Sequence, residues 1–459
     1  VTLRIFGVGC ALLCCALAAA IPSIARAHGR EPSVGLLTFD RSDPEHMVMR
    51  STWALIESYD GGASWFGRCA VAVGYERTTE DPPVVIASDG SIMAGIFNGL
   101  VRSDPTSCDF TPSPDEDVDN LYLIDLIDGP DGVQVSYGVT SPGDQANTIV
   151  RSGDDGATWT VLGTPNVEAL LERVRVAPSD PSRVYVSGAI PGRGGMARRA
   201  LFFRSDDDGR NYTETEIALE GEERNVHVLA VDPSNPDRVL VRVVRLVTDT
   251  VPERLLLSED GGASWETAAS LLEITGLVFS DDGSQVWVGG WDGAFLRSDV
   301  GGAVGTFEPV AGQEELRVRC LSYRPGATPG TGELWVCADE LRYDYALGRS
   351  TDGGSTIEHV WGFLDVRVDT NCPACSAVGG ICPTYWPDVV FDLGLPDEGP
   401  AFDAGVCDGG PFDGGAFDAG VGAEVEAPTG CGCRAQRRGS YPIPSIVLGL
   451  ALVLRRRRR

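Results

Sequence analysis

The sequence predicts an all-β chain, a single β-propeller of seven four-stranded blades followed by a disordered acidic linker. Three observations predict it. A short turn phrase recurs along the chain, its copies stand about fifty residues apart, and the stretches between them read as short strands joined by turns rich in Pro, Asp and Asn.

The turn phrase is clearest at Ser258, Asp260, Gly262 and Trp265. The same spacing holds Ser58, Asp60, Gly62 and Trp65, then Ser152, Asp154, Gly156 and Trp159, and, with Tyr for Trp, Ser205, Asp207, Gly209 and Tyr212. Weaker copies occupy Ser103 to Phe110, Ser298 to Gly302 and Ser350 to Ile357, the last keeping Ser350, Asp352 and Gly354. An Asp carboxylate can accept nearby backbone N–H groups and close a tight turn, a Ser hydroxyl does so more weakly, and Gly takes positive φ without a Cβ clash. The aromatic then begins the returning strand and packs into the stack of sheets. The leading serines are separated by 45, 49, 53, 53, 40 and 52 residues, the period of a propeller blade rather than of a helical solenoid.

What precedes each phrase supports a four-stranded unit. Apolar runs carrying Arg enter the turn, as in Ile149-Val150-Arg151-Ser152 and Phe202-Phe203-Arg204-Ser205, and hairpins lie earlier, such as Val174 to Val176 and Val184 to Val186 joined through Pro178 to Arg183. The predicted blades fall near 34–66, 84–110, 121–161, 172–214, 226–267, 274–308 and 316–362. Residues 67–83 and Phe363 to Val368 fit no blade slot, which leaves an extra strand or a different ring closure open.

The phrase resembles the Asp-box, or BNR repeat, of sialidases, sortilin-type receptors, xyloglucan-cleaving enzymes and a photosystem II assembly factor, over roughly residues 33–362. The resemblance implies that each box lies between the third and fourth strands of a blade, on the rim away from the ligand-binding face. It therefore implies a structural role for the box carboxylates rather than catalysis or calcium binding.

Composition narrows the function classes. The 37 basic residues against 66 acidic ones give a net charge of −29, and every basic residue is Arg. Nothing resembles the basic face that nucleic acid requires, so no nucleic-acid partner is expected. The acidic excess favours solubility.

The ends read as export signals. Arg4, an apolar stretch and Ala25-Arg26-Ala27 form a secretory signal over 1–27 with cleavage after Ala27, a lipoprotein reading through Cys10, Cys14 or Cys15 being the alternative. The propeller is assigned to 28–368, a Cys-rich segment to 369–387, and a low-complexity acidic linker, with Phe-Asp-Ala-Gly and Phe-Asp-Gly-Gly repeats, to 388–430. A calcium-binding repeat is the alternative there. The last stretch, 431–459, carries Cys431 and Cys433, a short apolar run from Ile443 to Leu454 and five terminal arginines. It resembles the MYXO-CTERM sorting tag of myxobacterial surface proteins, which implies processing at the Cys and attachment to the cell surface, so the membrane is an expected partner through this tag. An ordinary C-terminal anchor is the alternative.

Eight cysteines remain between the ends, an even number suited to disulfides in an exported chain. Cys320 and Cys337 flank a Pro/Gly-rich hairpin and could face one another across paired strands. Cys69 and Cys108 form a second candidate pair, in neighbouring repeats. Cys372, Cys375, Cys382 and Cys407 cluster after the last blade, where disulfides are favoured over a zinc site.

No catalytic set, metal site or cofactor site emerges. The four histidines are scattered, and the arginine clamp of sialidases cannot be carried over to any position. Two long connections between second and third strands, Gly188 to Arg199 and Arg245 to Arg254, should open on the face opposite the boxes. The first carries Arg193, Arg198 and Arg199, whose guanidinium forks could recognise the carboxylate of an acidic glycan or peptide. The expected function is a cell-surface binding or scaffold module for an extracellular protein or glycan. An extracellular, sialidase-like glycoside hydrolase is the alternative.

Overall fold

A computed structural model describes residues 32–393 except 77–78, 105–107, 131–135, 142–145, 193, 195–196, 246–249 and 367–371. Twenty-eight strands form seven antiparallel sheets, each of four strands consecutive in the chain. The blades run from Val34 to Cys69, Val84 to Pro112, Tyr122 to Gly163, Leu170 to Ile217, Asn225 to Leu271, Ile274 to Pro309 and Val318 to Trp361. First strands of neighbouring blades pack on one another round a central channel, and the first strand of blade 1 meets that of blade 7. The chain is a seven-bladed β-propeller.

Strand alternation explains the stacking. Successive side chains point to opposite faces of a sheet, so blade 1 sends Met47, Met49 and Ile56 towards Trp335 and Leu347 of blade 7, and Val48 and Leu55 towards Ile86 and Ala94 of blade 2. Every interface between adjacent blades holds one such apolar cluster. Because both faces of each sheet are covered, even mid-strand residues such as Tyr185, Phe202 and Trp287 are buried.

Among the described residues of 67–83 no additional strand joins the ring. Phe66–Cys69 completes blade 1, and a one-turn helix, Ala70–Val73, leads towards blade 2. At the other end, Phe363–Asp365 forms a single helical turn after blade 7. Among the described residues no sheet borrows a strand from beyond blade 7. Instead a helix, Ala377–Leu393, folds back onto blades 1 and 2, crossing the position 388 at which the sequence predicts the linker to begin.

The cysteines correct one expected pairing. Cys69 does not bond Cys108. Cys69 is joined to Cys382 and Cys108 to Cys372, across 313 and 264 residues. The reason is the return of the C-terminal segment, which brings a separate partner to each of the two outer strands. Cys320 and Cys337 are direct cross-strand partners in blade 7 and are bonded. Cys375 is half-buried in the same segment, and Cys407 lies outside the described residues.

Candidate functional site

The box turns lie between third and fourth strands, at one end of the barrel of blades. In each full box the Ser hydroxyl accepts the Gly amide four residues on, at 2.8–3.0 Å, and donates to the Asp carboxylate at 2.8–3.0 Å. The carboxylate also takes the amide and side chain of the residue four further on, which is Ser64, Thr158, Asn211, Ser264 or Thr356. The Ser350 copy, weak in sequence, has this full set of bonds. The Ser298 copy, with Val300 in place of Asp, keeps the amide bonds of Val300 and Gly302 to the Ser hydroxyl, which lies 2.6 Å from the Thr306 hydroxyl instead of a carboxylate.

These bonds hold the box acids ionised. The Ser264 hydroxyl and amide hold Asp260 down at about 2, and the Asn211 side chain and amide do the same for Asp207. The Thr356 amide and hydroxyl hold Asp352 at about 2 as well. Acids fixed in this state on the rim are poor proton donors and serve the turn.

The box glycines are wedges between blades. Gly262 has φ +90°, and a Cβ there would lie 2.2 Å from Phe202 of blade 4. Gly156 faces Met93 of blade 2 in the same way, and Gly62 faces Trp335 of blade 7. Each box therefore packs onto the preceding blade, and the first box helps to close the ring.

At the opposite end, where second strands turn into third and each blade leads to the next, a cavity of about 580 Å3 opens beside the channel. Its charged lining is Arg50, Arg242 and Arg319 with Asp81 and Glu273, together with Trp291 and the 33–35 and 50–52 segments of blade 1. Each guanidinium is held in a different way. Arg50 donates to the carbonyls of Asp81 and Pro82 at 3.0 and 3.2 Å. Arg242 forms a fork on the buried Glu253, with contacts of 2.7 and 2.9 Å. Arg319 lies 3.9 Å above the ring of Trp291, near which Arg317 also sits at 5.4 Å. Forks oriented in advance suit planar oxyanions such as carboxylate or sulfate.

The two connections expected to be long are shorter than predicted, because the strands that bound them run on to Ile190 and Val244 and resume at Arg199 and Glu253. Arg199 pairs with Glu216 at 2.7 Å and Glu214 at 3.4 Å, and Arg198 is half-buried beside it. Arg254 is engaged by Glu223 and Glu220. Arg193, Ala27, Cys431 and Cys433 lie outside the described residues. The structure thus brings together arginines from three different blades that the sequence reading did not single out.

The histidines occupy structural networks. His46, buried in blade 1, lies 3.3 Å from Asp40 and 2.8 Å from Glu57, whose other oxygen pairs with Arg68 at 2.7 Å. Burial pushes His46 down, but Glu57 and Asp40 push it up by more, so it is raised. His227 lies 2.5 Å from Glu172 on neighbouring first strands. Burial lowers His227, and at Glu172 burial is outweighed by the His227 and Asn225 hydrogen bonds together with the His227 and Arg173 charges, which leave that carboxyl lowered. A glycosidase acid needs the reverse shift. Among the described residues no group of three or more His, Cys, Asp or Glu is placed to hold a metal ion, and no helix is long and apolar enough to cross a membrane.

Comparison with known proteins agrees with the architecture. Residues 147–284, from the third strand of blade 3 to the first hairpin of blade 6, match the family model Sortilin-Vps10, described as sortilin, neurotensin receptor 3. The chain therefore carries a sortilin-like region within its propeller. Among solved structures, an ancestral GH74 enzyme superposes over 72% of this chain with a TM-score of 0.52 at 13% identity. The match covers 46% of that enzyme, so the chain spans about half its length. YCF48 from Cyanidioschyzon merolae is 15% identical over 74% of this chain and 87% of its own, with a TM-score of 0.39. The Dos1 propeller is 10% identical over 67% of this chain and 76% of its own, at 0.42. At these identities the likeness shows the fold alone. No curated protein matches the chain.

Proposed function

We propose that this protein is an exported, surface-displayed binding propeller that holds an acidic ligand, a carboxylate- or sulfate-bearing protein or glycan, in the cavity opposite the boxes. The observation that carries this reading is the convergence of three arginines on that cavity, where Asp81 and Glu273 are their acidic neighbours. A chain of net charge −29 lines one open site with Arg50, Arg242 and Arg319, each held by a separate device. Partly enclosed guanidiniums act on a ligand through less water than exposed ones and are less screened by salt. The signal over 1–27 and the tag over 431–459 support display outside the cell, with the acidic linker as the spacer.

Hydrolysis is the competing reading, because Asp81 and Glu273 border the same cavity. A panel of polygalacturonate, sulfated polysaccharide, sialosides, xyloglucan and polyglutamate, assayed for both retention and released sugar, separates the two. Saturable retention without release is expected. Release abolished by Glu273→Gln or Asp81→Asn would replace binding with catalysis.

A further inference from the structure

The proposed ligand cavity straddles the seam where the ring closes. Its blade 1 wall is Ser33, Val34, Gly35 and Arg50 to Thr52, and Arg319 comes from blade 7. No shared strand crosses this seam. Several contacts join it. Apolar packing of blade 1 on blade 7 includes Val34, Met47 and Trp53 against Trp335, Trp361 and Phe363. The Ser322 hydroxyl donates to the Leu37 carbonyl at 2.7 Å, and Gly62 of the first box faces Trp335. The C-terminal helix, Ala377–Leu393, packs on blade 1, and its Trp386 and Val389 enter the same cluster beside Trp53.

The helix is bound covalently next to the cavity wall. Thr52 lines the cavity, and the next residue, Trp53, meets Trp386 edge to face at 5.5 Å and Phe363 at 6.5 Å. Ala54 then pairs directly with Cys69, the residue bonded to Cys382. The second bridge, Cys108–Cys372, fixes the start of the same segment to blade 2, where the Ala377 amide donates to Asp109 at 2.6 Å. Arg68 donates to Cys372 Sγ at 2.7 Å, so the buried ion network of blade 1 also ends on this clasp.

We propose that the C-terminal segment is a redox-sensitive clasp that sets the shape of the cavity. This rests on the binding role proposed for that cavity. With both bridges formed, Trp386 is held on Trp53, the blade 1–blade 7 seam is shut and the arginines keep their spacing. A dithiol reductant opens it in two steps. Its thiolate attacks one sulfur of Cys69–Cys382 to give a mixed disulfide and one Cys thiolate. Its second thiol then displaces the remaining Cys sulfur. Two electrons and two protons pass to the pair of cysteines, and the dithiol leaves as a cyclic disulfide. When the same exchange has also reduced Cys108–Cys372, the helix is held by packing and the Ala377–Asp109 hydrogen bond, and the turn from Ser51 to Ala54 loses its outer support.

The test starts from the full, oxidised, folded protein and follows amide exchange and polyglutamate binding before and after addition of dithiothreitol, with thiol counting by mass spectrometry. The Cys69→Ser/Cys382→Ser variant is run in parallel, and the Cys320→Ser/Cys337→Ser variant serves as the control for the local bridge. On reduction, exchange is expected to rise in residues 33–54 and 318–324 while blades 4 and 5 keep their protection, and affinity is expected to fall about tenfold. Unchanged seam exchange after full reduction would overturn the proposal. So would protection lost evenly from all seven blades, or affinity kept while the seam opens. If polyglutamate does not bind the oxidised protein but the seam still opens selectively, the clasp stands as a structural device and the binding role fails.

Discussion

Replacing Gly262 by Ala tests whether the boxes join blades or only make turns. Two terms add. A side chain at φ +90° carries a backbone penalty of about 1–2 kcal/mol. The new Cβ would lie 2.2, 2.6 and 3.2 Å from three ring atoms of Phe202, which is buried and edge to face with Trp265 at 4.9 Å, so overpacking adds about 1–3 kcal/mol. Gly163 provides the control, with φ +97° and nothing within 4 Å of its would-be Cβ, so Gly163→Ala should cost only the backbone term. Urea unfolding of both variants gives the difference, and repeating Gly262→Ala on a Phe202→Leu background should recover part of it. Equal losses for the two glycines, within about 0.5 kcal/mol and with no coupling to Phe202, would refute the wedge.

Four further outcomes follow from the same geometry. Ser258→Ala leaves the buried Gly262 amide without its 2.8 Å acceptor and should cost about 1–3 kcal/mol while leaving ligand affinity unchanged, as unfolding and binding measured side by side would reveal. Asp207, Asp260 and Asp352 sit at about 2 in the fold against about 3.9 unfolded, so the stability they contribute is present above pH 4 and should drain away between about pH 4 and pH 2 in a thermal-melt series. His46 has the opposite sign, being raised, so its contribution is complete below its unfolded value near 6.5 and should be lost as pH rises through its folded value, a slope that His46→Gln removes. With Cys69–Cys382 kept, Cys108→Ser/Cys372→Ser reopens a loop of about 50 residues, the difference between separations of 313 and 264, and by chain entropy should lower unfolding stability by about 4 kcal/mol.

Local chemistry made the propeller legible. The box needs Ser, Asp and Gly at fixed offsets because all its bonds lie within a few residues, so period and blade limits could be read within a few positions. The hydroxyl or amide side chain that completes the box, as at Ser64 or Thr158, was visible but easily missed beside the aromatic that follows it. The cavity was not legible, since Arg50, Arg242 and Arg319 are far apart in the chain and become neighbours only when the ring closes. A faint signal existed. Arg317 and Arg319 alternate with the buried Val318 and Cys320, which places both charges on the side of their strand away from the apolar packing. The clasp was hidden for a similar reason, because cysteine spacing suggested neighbouring repeats as partners while the bonds are made by a segment returning from beyond blade 7.

The most direct measurement is calorimetric titration of polyglutamate and polygalacturonate into the protein, its Arg50→Gln/Arg319→Gln variant and its Arg198→Ala/Arg199→Ala variant, across a salt series. Binding that weakens with salt, is lost when Arg50 and Arg319 are replaced and persists when Arg198 and Arg199 are replaced is the expected result. Affinity and salt dependence left unchanged by the loss of Arg50 and Arg319 would contradict the assignment of the cavity as the ligand site.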